Sequence, residues 1–198
     1  MTFRDFFQLV VPQMHLNKSL RILVTINTLM VFVVGIFAPF YAVYVQKIGG
    51  SIAFVGLSWA ILQLVSGVLT LLFSKWSLRV HEQELLLALG YVIRGVVFLS
   101  YAFMAGLGQL LVTQVLWGIA AAIGVPAFDA VYAAHTNHEE SIAQWGGWEG
   151  VASIATGLAA LAGGFFINTF GFTPIFFVMA FVCFALGFYI WRLPREIL

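Results

Sequence analysis

Six apolar segments, each long enough to form a membrane-spanning helix, fill almost the whole chain. They run near residues 20–46, 52–74, 84–105, 107–134, 142–168 and 173–192. Crossing a bilayer takes about 20 mostly apolar residues. Hydrophobic residues make up 62% of the chain and charged residues 9%, whereas an ordinary soluble domain is about a quarter charged. The sequence therefore predicts an all-α membrane protein with six transmembrane helices, a single unit over residues 1–198 without a soluble domain.

The first three spans share short sequence patterns with the last three. The matching segments are 39–44 and 126–132, 51–53 and 141–143, and 66–67 and 156–157. Because three is an odd number of spans, two such units in tandem cross the membrane in opposite directions. We therefore predict two inverted three-helix repeats, at about 19–105 and 107–192. Inverted repeats with helix-breaking residues are typical of secondary transporters, whose substrate sites lie near the midplane.

Basic residues are distributed unequally between the two sides of the predicted bundle. If the N-terminus is cytoplasmic, only Lys47 lies outside and Arg94 lies within the membrane. The seven remaining basic residues are then cytoplasmic: Arg4, Lys18, Arg21, Lys75, Arg79, Arg192 and Arg195. This asymmetry predicts a plasma (bacterial-type inner) membrane protein with both termini cytoplasmic. The segment 1–18 lacks a cleavage site and is predicted to lie at the interface as a short helix.

Motifs for nucleotide binding, metalloprotease chemistry or a nucleophilic serine are missing from the sequence. We therefore expect neither an enzyme nor ATP-driven transport by this chain, and no cofactor or nucleic-acid partner. Cys183 is the one cysteine, so the chain has no internal disulfide. His135, His138 and Glu139 could in principle hold a metal, but an exposed polar loop without metal is the expectation there.

Glu149 is the leading candidate for substrate or proton handling. It falls about two turns into the fifth span, and a carboxylate within the membrane is a functional hypothesis by default. Ser153 and Thr156 follow on the same helix face at i+4 and i+7. A structural ion pair or hydrogen bond is the alternative role for Glu149. Glycines on the neighbouring face form a stripe suited to tight helix packing: Gly150, Gly157 and Gly164.

Arg94 lies near the middle of the third span, where a lone charge would be very costly. The intramembrane carboxylates available to it are Asp129 and Glu149, so we predict a buried charge pair that holds the bundle together, chiefly Arg94 with Asp129. Contact with an anionic substrate is the alternative for Arg94. Asp129 is close to the cytoplasmic end of the fourth span, which favours a structural or gating role.

The second span carries a polar stripe on an otherwise apolar helix. Trp59, Gln63, Ser66, Thr70 and Ser74 follow one another at helical spacing. Such a stripe is expected to face water or another polar surface, although serine and threonine also bond to their own helix.

Two further polar side chains and two prolines are candidates for function. Asn27 in the first span and Gln114 in the fourth are possible substrate ligands. Pro39 and Pro126 each remove a backbone hydrogen bond and can kink their helices, which would assist gating. The numerous aromatic residues are expected to face mostly the lipid and the interface.

The stretch from 114 to 171 resembles spans four and five of major facilitator superfamily transporters. Segment 114–119 stands where the family often has Arg-x-x-Gln-Gly, and 126–133, 138–146, 163–164 and 170–172 resemble the following loop, span and turn. The resemblance implies one six-span half of a twelve-span fold. By the same resemblance, spans one and four line the cavity, and spans two and five border the other half.

Three departures from the family pattern limit what can be carried over. Segment 73–79 keeps basic charge but lacks the Asp and Gly of the usual loop after span two. Gln114 replaces the span-four Arg, and Ala159-Ala160 replaces the Gly-Pro of antiporters. With six spans, the chain is expected to form a parallel homodimer that transports a small-molecule substrate, surrounded by membrane lipid. The alternatives are pairing with a different half as a heterodimer, or acting as a non-transporting subunit that binds another protein.

Overall fold

A computed structural model describes residues 17–77 and 82–194 of the chain, with side chains undescribed at 74–77. Its α-helices are α1 (Lys18–Phe37), α2 (Tyr41–Lys47), α3 (Ile52–Ser77), α4 (Gln83–Ala102), α5 (Leu107–His135), α6 (Ser141–Phe170) and α7 (Phe172–Arg192). Short 3-10 turns at Ala38–Phe40 and His138–Glu140 precede α2 and α6. Helices α1 and α2 together form the first span, and α3 to α7 form the second to sixth spans.

Six segments of the described chain are long and apolar enough to cross a membrane. They are Lys18–Lys47, Ile52–Phe73, Gln83–Ala102, Leu107–His135, His138–Phe170 and Phe172–Arg192. The predicted all-α fold with six spans is therefore confirmed. Several predictions fall outside the described parts of the chain. They concern residues 1–16 of the predicted interfacial segment 1–18, the side chains of Ser74 and Lys75, and Arg79 and Arg195.

Local hydrogen bonds fix where the spans begin and end. The Asn17 Oδ1 accepts a hydrogen bond from the Leu20 amide at 2.8 Å, which caps the first helix. The Asn17 Nδ2 donates to the His135 carbonyl at 3.0 Å, so the start of the first span is tied to the end of the fourth. At the other end of the bundle, Gly171 turns the chain between the fifth and sixth spans with φ of 79°, a conformation that favours glycine.

The spans pack in the order second, fourth, third, sixth, first, fifth, each span mainly against its neighbours in that order. The second and fifth spans stand at the two ends of this order and have one main neighbour each. They are also the least buried of the six. The bundle therefore leaves large faces of these two spans uncovered.

A cluster of aromatic rings fills the bundle at the end opposite Asn17. Phe37 lies at its centre, with ring centroids 5.6 Å from Tyr44, 5.1 Å from Tyr101 and 5.0 Å from Phe176. The expectation that aromatic residues mostly face lipid is wrong for the tyrosines. Five of the six tyrosines are buried: Tyr41, Tyr44, Tyr91, Tyr101 and Tyr132. Their rings supply large apolar area to the core, and a buried hydroxyl needs a partner there.

Glycines allow two pairs of helices to approach at backbone distance. A Cβ added to Gly90 in the third span would lie 2.7 Å from the Cα of Gly124 in the fourth. In the fifth span, a Cβ on Gly163 would collide with the carbonyl of Ile36 in the first. Small residues at such contacts are the usual basis of helix association in membranes.

Candidate functional site

Glu149 and Ser153 lie on a face of the fifth span that no described helix covers, and Thr156 lies at its edge, next to Gly35 of the first span. Glu149, Ser153 and Thr156 are all exposed. At about 100° per residue, they lie roughly 100–160° around the helix from Ala155, which is buried. Glu149 is eight residues into α6, roughly 12 Å from its start at the helical rise. Among the described residues, Glu149 therefore lies on the outside of the bundle rather than in its core.

Asp129 lies on an exposed face of the fourth span, near Glu149. The two carboxylates are close enough to interact electrostatically. The fourth and fifth spans therefore each carry a carboxyl group on an exposed face, within the hydrophobic length of the helix.

The glycine stripe of the fifth span is directed outward. A Cβ added to Gly150 or Gly157 would meet nothing within 4 Å, and the same holds for Gly146. Only Gly164 among the predicted stripe has a neighbour, the ring of Phe40 at 3.1 Å. Within the chain the fifth span packs through Gly163 instead, so Gly150 and Gly157 leave a flat, unoccupied surface.

The second span has a similar arrangement of faces. Gln63 is exposed, and Trp59 is 42% exposed with its ring centroid 5.5 Å from that of Tyr41. Ser66 and Thr70 are half-buried beside the contact with the fourth span. The polar stripe therefore borders the packed side of the helix.

Gln114 is fully buried at the centre of a polar network. Its Nε2 donates to the hydroxyls of Tyr41 and Tyr101, each at 2.7 Å. The Tyr41 hydroxyl also shares a hydrogen bond of 2.6 Å with Ser58. The Gln114 Oε1 is buried without a partner among the described atoms. Gln114 therefore connects the first four spans and lies away from the uncovered faces.

Asn27 is half-buried and is held by the third span. Its Oδ1 accepts a hydrogen bond of 2.5 Å from the hydroxyl of Tyr91, a fully buried residue. The next residue, Thr28, has a buried hydroxyl that finds no partner among the described atoms. The first span thus carries two polar groups at one level, one bonded and one free.

Arg94 lies on the inward face of the third span and is 8% exposed. Its guanidinium lies 5.8 Å from the ring centroid of Tyr91 and reaches Gly124, whose added Cβ would be 3.2 Å from Nη1. In the described part of the chain, the ionisable groups acting on it are Tyr91 and Cys183. The predicted pair with Asp129 is therefore not formed. Gly124 faces the third span, and Asp129 lies five residues on, roughly 140° around the helix.

The two prolines have different effects on their helices. Pro39 lies in the 3-10 turn Ala38–Phe40 that separates α1 from α2. Pro126 lies inside α5, which continues without interruption from Leu107 to His135. Proline at either place removes one backbone hydrogen bond. The break in regular helix is found at Pro39.

Sequence reasoning missed the tyrosines that organise the buried polar contacts. Tyr91 and Tyr101 hold Asn27 and Gln114, and the Tyr44 hydroxyl donates to the Tyr101 carbonyl at 2.9 Å. The available signal was the tyrosine hydroxyl itself, because a polar group deep in a span must find a partner.

Histidines and the cysteine form no metal cluster in the described residues. The His135 Nδ1 is hydrogen-bonded to the Val131 carbonyl at 2.8 Å. Cys183 is buried and its Sγ lies 3.8 Å from the Met30 Sδ. These groups are engaged in local packing.

The comparisons with known proteins identify the family. A family model described as Major Facilitator Superfamily matches residues 23–197 of the 198-residue chain. No match is found among curated proteins. Because the family match covers nearly the whole chain, the protein belongs to the major facilitator superfamily. It is an integral multi-pass membrane protein of a family of transporters rather than enzymes, whose members bind small-molecule substrates. Its six apolar helices fit a half-size form of that fold.

Proposed function

We propose that this chain is a secondary active transporter that moves a small organic solute by alternating access as a parallel homodimer. The uncovered polar faces of the second and fifth spans carry the proposal, together with the outward glycines beside them. Polar groups left facing lipid are costly, and small residues without neighbours invite close helix contact. A second copy would cover both.

The packing order of the spans supports the predicted inverted repeats. If each span of the first repeat is exchanged with its counterpart in the second (first with fourth, second with fifth, third with sixth), the packing order becomes fifth, first, sixth, third, fourth, second. This is the observed order in reverse. Such an order is what two similar three-span units of opposite direction would produce. In this proposal the repeats are residues 19–105 and 107–192, and the substrate lies near the midplane between the repeats.

The proposed orientation has both termini in the cytoplasm of a cell whose plasma membrane holds the protein. Lys18, Arg21 and Arg192 lie at one end of the bundle, and Lys47 lies at the other. The excess of basic residues marks the cytoplasmic side. A cysteine at position 47 that reacts with a membrane-impermeant maleimide in intact cells would agree; labelling only after lysis would contradict it.

The contact between copies is predicted in detail by the positions of the glycines. Gly67 is roughly 22 Å from the start of α3 and Gly157 roughly 20 Å from the end of α6, so they lie at similar depth. Oxidation should therefore link a Gly67→Cys, Gly157→Cys variant into covalent dimers. Val68→Cys with Leu158→Cys, at exposed apolar positions about 100° around each helix from the glycines, is the matched control and should remain unlinked.

Native mass spectrometry of the protein purified alone tests the assembly independently. A mass of two copies is expected. A strictly one-copy mass that persists in lipid nanodiscs, with no Gly67–Gly157 crosslink, would exclude the homodimer. It would favour a different partner half or a non-transporting subunit.

Proton coupling through Glu149 is part of the same proposal. Glu149 is a carboxyl group on the uncovered face within electrostatic range of Asp129, and a carboxyl group inside a span is a common proton carrier in transporters. Glu149→Gln should abolish solute uptake driven by a pH gradient in proteoliposomes while leaving the dimer intact. Glu139→Gln, in the exposed turn before the fifth span, should transport normally. Undiminished gradient-driven uptake by Glu149→Gln would refute this coupling role.

A further inference from the structure

We infer that Arg94 forms the centre of an anion-binding site for the carboxylate of a small organic solute. The inference rests on the proposed transport function, because it names the substrate class of that transporter. Its starting point is the charge state of Arg94. A guanidinium stays protonated in proteins, and the residue is buried within the third span.

No charge in the described part of the chain balances Arg94. The ionisable groups acting on it are Tyr91 and Cys183, both of which are neutral near pH 7. Removing a charge from water without a partner is costly. An anion that enters the site would recover this cost, and the guanidinium can bind a carboxylate through two parallel hydrogen bonds.

A second donor is bonded to the same tyrosine. Tyr91 lies under the guanidinium with its ring and bonds Asn27 with its hydroxyl. This bond uses the Asn27 Oδ1, so the amide NH₂ of the half-buried side chain remains a donor. The Arg94 guanidinium and the Asn27 amide NH₂, both held beside Tyr91, are therefore hydrogen-bond donors, as a carboxylate requires.

The depth of Arg94 favours a solute over a lipid headgroup. Arg94 is eleven residues into α4, roughly 16 Å from its start, which is near the middle of a hydrocarbon core about 30 Å thick. A lipid phosphate lies at the interface and does not reach this level. Because Gly124 has no side chain, the Arg94 guanidinium can lie directly against the fourth span. A Cβ added to Gly124 would be 3.2 Å from the Arg94 Nη1.

Ligand-dependent thermal unfolding of the detergent-purified protein tests the site. The probes are the sodium salts of acetate, succinate and benzoate, each compared with sodium chloride at equal ionic strength. At least one carboxylate should raise the Tm in a saturable manner, because a ligand that binds only the folded state stabilises it. No gain over chloride with any of the three, or an equal gain with chloride, would overturn the inference.

Three variants show whether the gain depends on Arg94. Arg94→Met should lose the carboxylate-dependent gain, with an unliganded Tm equal to or above that of the unchanged protein, since an unpaired buried charge has gone. Arg94→Lys should retain a weaker gain. Arg192→Met, at the end of the sixth span against Phe188 and Trp191, is the control and should keep the full gain.

Gly124→Ala keeps the charge and tests the site even if Arg94 variants do not fold. Its Cβ would press on Nη1, so the concentration for half-maximal stabilisation should rise several-fold. Gly108→Ala, which meets nothing within 4 Å, should leave that concentration unchanged. An unchanged value for Gly124→Ala would count against the site. Binding does not require transport: a carboxylate that binds through Arg94 but is never transported would refute the proposed function alone.

Discussion

The contact between Gly90 and Gly124 makes a graded prediction about helix packing. Gly90→Ala would place a Cβ 2.7 Å from the Gly124 Cα and 3.2 Å from the Ala120 carbonyl oxygen. Backbone atoms cannot rotate away, so the third and fourth spans must separate. Overpacking of a well-packed site costs about 1–3 kcal/mol, and the helix propensity of alanine returns about 0.5–1 kcal/mol.

Two matched substitutions calibrate this effect. Gly95→Ala would meet the ring of Phe184 at 2.7 Å, and a ring can shift more easily than a backbone. Gly108→Ala would meet nothing within 4 Å and should change stability by less than about 0.5 kcal/mol. The expected order of destabilisation is therefore Gly90, then Gly95, then Gly108.

Thermal unfolding in one detergent, followed by tryptophan fluorescence, measures the series. For a chain of this size about 1 kcal/mol corresponds to roughly 2–4 °C in Tm. Gly90→Ala should therefore lower the Tm by several degrees relative to Gly108→Ala. Equal Tm values for the two variants would show that the backbone contact does not limit helix approach, and would refute the reasoning.

Further predictions concern the buried polar groups. Gln114→Met should lower the free energy of unfolding by about 1–3 kcal/mol, because it leaves the Tyr101 hydroxyl unpaired. In a double-mutant cycle, adding Tyr101→Phe should recover part of this loss, and strictly additive effects would contradict the hydrogen bond. Thr28→Val should raise the unfolding free energy by up to about 1–3 kcal/mol, since its buried hydroxyl has no described partner. Thr25→Val, which removes a hydroxyl bonded to the Arg21 carbonyl, is the control and should gain nothing in the same unfolding assay.

The spans were predictable from sequence because each is set by its own composition. An apolar run of about 20 residues must form a helix in lipid, since every backbone polar group has to be satisfied within the segment. For this reason the predicted boundaries of the six spans agree with the structure to within a few residues. The same local logic predicted a kink at both prolines; regular helix is interrupted at Pro39, whereas the helix around Pro126 continues.

The partners of charged and polar side chains were not predictable in this way. The proposed pair of Arg94 and Asp129 assumed that two opposite charges within the membrane meet. Whether they do depends on the rotation of the third and fourth helices about their axes, which the contact of Gly90 with Gly124 decides. The pairing of Tyr91 with Asn27 depends likewise on which spans are neighbours. Periodicity within one helix contains neither kind of information.

The position of the first span in the packing order has a consequence for how the protein is made. This span packs mainly against the fifth and sixth. Its residue Gly35 contacts Thr156 and Ala159, which the ribosome adds about 120 residues later. At 5–20 residues per second, that delay is roughly 6 to 24 seconds of synthesis. During this time the second, third and fourth spans can already assemble. The first of the six spans to be synthesised is thus among the last to complete its packing in the bundle.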